Sequence, residues 1–239
     1  MDPRSERVDV PAPDSTSSPW PLADVRVTVG RWELRLPDDR ELGELARSVA
    51  DECIPSVPAL SNPADTPAER TRRFMQDHWR TRAEWQPGSW ALDLFAFDNG
   101  RPVGQQRLRG EHFALLREVA TGSLVRPDRR GSGVGTAMRA AILSLAFDGL
   151  GAEFAQTGAV ADNPASLTVT AKYGYEPNGV RRMIAFGTAL EAHMFQLSAA
   201  RWRSVGNRPA VEITGLTGLE GLFGADGPPE TARGGEPQE

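Results

Sequence analysis

A strand-like run, a glycine loop and a helix-like run follow one another between residues 118 and 147, and few folds accommodate that order. Glu118 to Val125 leads into Arg126-Pro127-Asp128-Arg129-Arg130-Gly131-Ser132-Gly133-Val134-Gly135, and an apolar stretch from Thr136 to Phe147 leaves it. Arginines and glycines therefore stand where a strand turns into a helix. The first backbone N–H groups of a helix have no partner inside it, and the helix dipole adds positive potential at the same place. Glycine lets the backbone come close to a bulky anion, and arginine supplies permanent positive charge. The combination predicts a cradle for a pyrophosphate group.

Spacing separates the glycine-rich phosphate loops. A nucleoside-triphosphate loop needs Gly-x-x-x-x-Gly-Lys-Ser/Thr, but Gly135 is followed by Thr136 and Ala137. A dinucleotide loop needs Gly-x-Gly-x-x-Gly, and counted from Gly133 its last position is Met138. What remains is Arg/Gln-x-x-Gly-x-Gly/Ala, which Arg130 to Gly135 satisfies. Alone, that run could also be an ordinary glycine-rich turn. A second run stands downstream: Asn163-Pro164-Ala165-Ser166-Leu167-Thr168-Val169-Thr170-Ala171-Lys172-Tyr173-Gly174-Tyr175. Asn163 suits a helix cap, Pro164 its first turn and Gly174 its end.

The two runs, in this order, resemble the signature motifs of the GNAT superfamily of N-acetyltransferases. The pattern is most like the ribosomal-protein alanine N-acetyltransferase branch, and closer still to actinobacterial relatives that use acetyl-CoA or succinyl-CoA. The resemblance spans roughly residues 31–200 and is clearest from 117 to 183. It implies an α+β fold: a mostly antiparallel twisted sheet with helices on both faces, splayed between its fourth strand (117–125) and its fifth (153–160). It implies that the pantetheine arm of CoA pairs with the fourth strand at Ser123 to Val125, through backbone groups of Leu124 and Val125. Arg130, Gly131, Ser132, Gly133, Val134, Gly135 and Thr136 would hold the pyrophosphate, with Asn163 and Ser166 near the pantetheine and thiol.

The implied reaction is direct attack of an amine on the thioester, with acetyl-CoA or succinyl-CoA as co-substrate and no metal. Glu118, early on the fourth strand, is the candidate base, through water; the bland alternative is a strand-end ion pair with Arg117 or Arg139. Many superfamily members carry a tyrosine acid where this chain has Thr170, and Tyr173 lies on another helical face, suited to the core. Ser166 is therefore the preferred proton donor, with water as the alternative. His78, Gln106 and His112 are candidates for the acceptor side. Arg107, Arg109 and Arg117 are candidates for a succinyl carboxylate. The favoured acceptor is a small amine or amino acid; a protein N-terminus is second, and a module that binds acyl-CoA without turnover is third.

Composition limits the rest. Asp226, Glu230, Glu236 and Glu239 against Arg233 leave most of the net charge of −5 in the tail. The near-neutral body argues against nucleic-acid binding by bulk charge. The single cysteine, Cys53, excludes an internal disulfide and a zinc cluster. No apolar run reaches the roughly 18 residues that span a membrane, and the acidic, proline-rich N-terminus lacks a signal peptide's apolar core, so a cytoplasmic protein is expected. The element order reads β-α-α-β-β-β-α-β-α-β-β, beginning with a strand at Trp32–Leu36. The domain boundaries read as a disordered segment 1–28, an acyltransferase domain 29–204, an apolar appendage 205–223 and a disordered acidic tail 224–239. The terminal hairpin (175–197) or the appendage could carry a homodimer.

Overall fold

The computed structural model describes residues 18–54, 57–160, 163–185 and 187–226. Nine strands form one sheet: β1 (Arg26–Val29), β2 (Trp32–Arg35), β3 (Ser89–Asp98), β4 (Arg101–Glu111), β5 (Glu118–Val125), β6 (Phe154–Val160), β7 (Glu176–Ala185), β8 (Thr188–Ser198) and β9 (Val211–Thr214). Their order is β7-β8-β6-β5-β4-β3-β2-β1-β9. Every neighbouring pair is antiparallel except β5 and β6. A parallel pair needs a crossover, and a helix supplies it here.

Helices α1 (Asp39–Val49) and α2 (Pro67–Ala83) cover one face. Each begins with a capping box, Asp38 with Glu41 and Thr66 with Glu69, in which side chain and backbone satisfy each other's orphan donors. A single turn, α3 (Phe113–Leu116), joins β4 to β5. The crossover helix α4 (Val134–Ser144), α5 (Pro164–Lys172) and α6 (Ala199–Ser204) lie on the other face. The α4 rod runs on through a π-helical turn, Leu145–Gly149. Strand β3 is buried almost throughout because its alternate residues serve both faces. Phe95 and Phe97 pack under α1 and α2 with Leu42, Leu45, Phe74 and Leu124, whereas Leu94 and Ala96 pack with Met138 and Ile142 of α4. The β3–β4 hairpin turns at Asn99 and Gly100, both with positive φ, as the Asn-Gly pair predicts.

Two boundary expectations are corrected. Residues 18–28 are not outside the fold: Leu22, Val25 and Val27 are fully buried and β1 pairs along its whole length with β2. The expectations for residues 1–17 and 227–239 fall outside the described residues. The segment 205–223 is no appendage either. Its strand β9 closes the sheet against β1, with Val27 opposite Ile213. The Trp85 and Trp90 indoles donate to the carbonyls of Leu222 and Phe223, both at 2.9 Å. The Phe223 ring is buried edge-on to both tryptophans. Short apolar runs separated by glycine read as loose in a linear pattern, but their partners lie more than a hundred residues away. No helix of the described residues is long and apolar enough to cross a membrane.

Replacing Phe223 with alanine should therefore lower the unfolding free energy by about 3–5 kcal/mol, the scale for truncating a buried aromatic. Urea titration followed by tryptophan fluorescence would measure it; a loss below about 1 kcal/mol, the scale of an ordinary surface change, would mean that the C-terminal segment does not hold the core.

Candidate active site

The parallel pairing of β5 and β6 is short. Glu118 to Thr121 pair with Phe154 to Thr157, and there the ladder stops. Gly122 to Val125 stay paired with β4 on one side, opposite Gly104 to Arg107, but have no partner strand on the β6 side among the described residues. The sheet thus opens into a cleft whose edges are the free backbones of two strands. Two threonines close its vertex on the α4 side. The Thr121 hydroxyl donates to the Gln156 carbonyl at 3.1 Å, and the Thr157 hydroxyl donates to the Thr121 carbonyl at 3.2 Å.

The glycine loop lies at the open end of this cleft. Val125 leads through a 3-10 turn, Pro127–Arg129, into Gly131 and Gly133, which take φ of 75° and 89°. Side chains rarely adopt that backbone, so the glycines set the path into α4. Gly133 is the N-cap without a side-chain partner, and the first helical hydrogen bond is from the Ala137 N–H to the Gly133 carbonyl. The N–H groups of Val134, Gly135 and Thr136 therefore point out of the helix with no partner in it. Carboxylates neutralise the arginines around them. Arg130 donates twice to Glu52, at 2.8 and 2.5 Å, Arg129 contacts Asp98, and Arg126 lies between Glu44 and Asp128.

Asn163 caps α5, its side-chain oxygen accepting from the Ser166 N–H at 3.1 Å. Ser166 is half-buried in the first turn. Tyr173, at the other end of the helix, is fully buried and donates to the Thr136 carbonyl at 2.9 Å. Burial pushes its phenol up to about 12, against a smaller opposing pull from Arg139. That tyrosine ties α5 to α4, as its face predicted. Thr170 is buried as well.

On the α1–α2 face, Glu118 makes no ion pair with Arg117 or Arg139. One of its oxygens accepts instead from the Gln196 side chain on β8, at 3.2 Å. Gln196, which lies opposite Gln156 in the β6–β8 ladder, is a candidate that the sequence does not disclose. Its only linear signal is alternation in residues 190–197; the pairing with Glu118 needs the strand order.

The acceptor-side candidates fare differently. Gln106 is fully buried on the α4 side, opposite Ser123, and donates to the Gly122 carbonyl at 2.9 Å. His112 is exposed but stands beyond Gly110, which pairs with Val119, at the end of the sheet away from the cleft. His78 is buried and does not reach the surface. Its Nε2 lies 2.9 Å from an Arg82 nitrogen, a donor only, so the ring's proton sits on Nδ1, facing Asp93 at 3.6 Å. Helix phase turns His78 to the inward face of α2, and that makes it a core residue.

Behind the cleft, Arg107 grips Asp93 through two bonds of 2.6 Å and Asp77 of α2 through one of 2.7 Å. Burial pushes the Asp93 carboxyl up, but the Arg107 hydrogen bonds and His78 outweigh it, and the net shift is downward. Burial likewise lowers Arg107, and its two carboxylates outweigh that and raise it. Next to this group, a crevice of about 210 Å³ opens between α2 and β3–β4, lined by Asp77, Arg80, Thr81, Glu84, Ser89 and Arg109, among others. Asp93, with its lowered pKa, adds stability above the ordinary aspartate range, and that stability is lost as pH falls through the folded value. Arg107→Met should cost about 3–5 kcal/mol at neutral pH by stranding a buried carboxylate. The deficit should shrink as pH falls into and below the ordinary aspartate range, because protonating Asp93 removes the stranded charge. Urea unfolding across that range measures both; a deficit independent of pH would contradict this account.

Comparison with known proteins agrees with this layout. The family model described as Acetyltransferase (GNAT) domain matches residues 31–176. Mycobacterium smegmatis RimJ in complex with CoA-disulfide shares the fold at 20% identity and a TM-score of 0.64, over 79% of this chain and 97% of that one. Ribosomal-protein-S5-alanine acetyltransferase from Vibrio fischeri matches at 13% identity and 0.57, over 75% and 99%. A spermidine N-acetyltransferase SpeG chimera from Vibrio cholerae and hSSAT matches at 12% identity and 0.57, over 73% and 99%.

Proposed function

The chain belongs to the GNAT acetyltransferase family, and from that premise we propose that it moves an acetyl group from acetyl-CoA to the amine of a small molecule or amino acid. The observation that carries the reading is the cleft between β5 and β6, which opens directly onto the glycine loop at the start of α4. The unpartnered N–H groups of Val134, Gly135 and Thr136 and the Arg130 guanidinium bind the CoA diphosphate. Glu52 gives up Arg130 as the diphosphate arrives, and Gly131, Ser132 and Gly133 let the backbone close on it. The pantetheine arm lies along the free edge of β5 and pairs with Leu124 and Val125, and Asn163 holds the first turn of α5 beside it.

The neutral amine attacks the thioester carbonyl, forming the C–N bond, and the C–S bond breaks as the tetrahedral intermediate collapses. A backbone N–H of the β5 edge stabilises the oxyanion. Glu118, oriented by Gln196, takes the amine proton through water and releases it to solvent, and Ser166 relays a proton from solvent to the departing thiolate, so both groups end as they began.

Acetyl is favoured over succinyl because none of the three candidate arginines stands free beside the cleft. Arg107 is committed to Asp93 and Asp77, Arg109 lies near Glu111, and Arg117 donates to the Ala225 carbonyl at the far end of β5. A small acceptor suits the 210 Å³ crevice with its mixed charges. A protein N-terminus, as in the name of the Vibrio fischeri relative, is the second reading. The exposed Leu115, Leu116 and Phe154 favour it, because Phe154 lies opposite Glu118 and a peptide could rest on them. For a homodimer, 205–223 is spent in the sheet, whereas edge strand β7 exposes Val180 and Ile184.

Calorimetry with CoA, and thiol release from acetyl-CoA with a panel of free amino acids and aliphatic amines, test the reading. Arg130→Ala should weaken CoA binding roughly tenfold to a hundredfold, the value of a charge-assisted contact. Glu118→Gln should lower kcat by about 10²–10⁴. Unchanged CoA affinity in the first variant, or an unchanged kcat in the second, removes that residue from its role.

A further inference from the structure

Glycine in the interior of a strand weakens it and leaves nothing to pack, so each such glycine needs a cause. In β4 the cause is packing. A Cβ at Gly104 would come within 2.7 Å of the Leu124 carbonyl, and one at Gly110 within 2.6 Å of the Trp90 ring. In β7 it is conformation, because Gly179 has a φ of 87°. Gly122 of β5 has neither cause. Its φ is not positive, and a Cβ there would meet nothing within 4 Å. Gly158 of β6 is similar: its φ is not positive, and a Cβ would crowd the flexible end of Met194, at 3.1 Å from the sulfur, and meet the His193 carbonyl at an ordinary 3.9 Å.

These two glycines occupy equivalent positions. Thr121 and Thr157 are the last partners of the parallel ladder, so Gly122 and Gly158 are the first residue of each strand inside the cleft. Both are exposed. Their missing side chains would have stood on the α1–α2 side. Gly122 lies opposite Arg107, which holds Asp77 of α2, and four residues earlier on the same side Glu118 meets Gln196. On the α4 side the threonine hydroxyls close the vertex. The vertex is therefore shut toward one face and open toward the other.

We infer that Gly122 and Gly158 form the aperture through which the thioester carbonyl meets the acceptor amine, and that the absent side chain at Gly122 is required for transfer but not for folding or CoA binding. This rests on the proposed placement of CoA in the cleft. From Val125, beside the glycine loop, to Gly122 is about 10 Å of extended strand, which puts the vertex at the end of an arm anchored at the loop. The amine comes from the side that carries Glu118.

Gly122→Ala and Gly122→Val test the aperture. With acetyl-CoA and the most active amine of the panel, kcat should fall in the order wild type, alanine, valine, reaching roughly a hundredfold loss for valine, the cost of displacing a reacting group by about 1 Å. CoA affinity by calorimetry should stay within about threefold, as for a change that touches no contact. The melting temperature should stay level or rise, since alanine and valine both restrict the unfolded chain and valine favours strands. Turnover by the valine variant within about threefold of wild type overturns the inference. So does a lowered melting temperature, which would mean that the backbone demanded glycine, or a lost CoA affinity, which would put the side chain against the arm. Wild-type protein that shows no heat with CoA would instead defeat the placement of CoA itself.

Discussion

The structure depends on one interrupted hydrogen-bond ladder. Strands β5 and β6 are the only parallel neighbours in the described sheet, and they pair over four residues before parting. The right-handed twist of each strand carries neighbours apart unless backbone bonds hold them together. Here β5 is held by β4 along nearly its whole length and β6 by β8, so each continues with its own antiparallel partner. The gap between them exposes backbone donors and acceptors that must find partners in water or in a ligand. The crossover helix α4 joins the same two strands, so its N-terminus necessarily sits at the end of the gap. Cleft and cradle are consequences of one topological fact.

The second constraint is electrostatic. Helix α2 is pinned to the sheet by Arg107, whose guanidinium bridges a carboxylate of β3 and one of the helix. A buried ion pair of this kind adds little net stability over apolar packing, but it is strict about geometry. It fixes the distance between α2 and the stretch of β4 that lies opposite Gly122, and it commits that cation to two carboxylates. Arginines at the glycine loop are also paired, but Arg130, itself half exposed, holds a carboxylate, Glu52, that is not fully buried.

Local features were legible wherever a single segment carries its own physics. The cap at Asn163, the helix end at Gly174 and the path through Gly131 and Gly133 all depend on residues a few positions apart. The acceptor side was not legible. Gln106 and His78 looked like polar groups near a cleft and are core residues, because strand alternation and helix phase turn them inward. Gln196 was missed because it lies 78 residues from Glu118. The strand β9 and the residues around Phe223 read as an appendage because their partners, β1, Trp85 and Trp90, lie at the other end of the chain.

By itself, then, the sequence determined the local form of the loop: three glycines and a helix start set a turn that gathers arginines and unpartnered N–H groups. It also determined the family pattern and most element boundaries, since caps, turns and periodicity are short-range. Only the tertiary structure decided where the parallel ladder ends, that Gly122 and Gly158 meet at that point, which face stays open, and which carboxylate stands over it. Those facts are set by register between strands far apart in the chain, and register is a property of the whole sheet: a shift of one residue would reverse every side chain at the site.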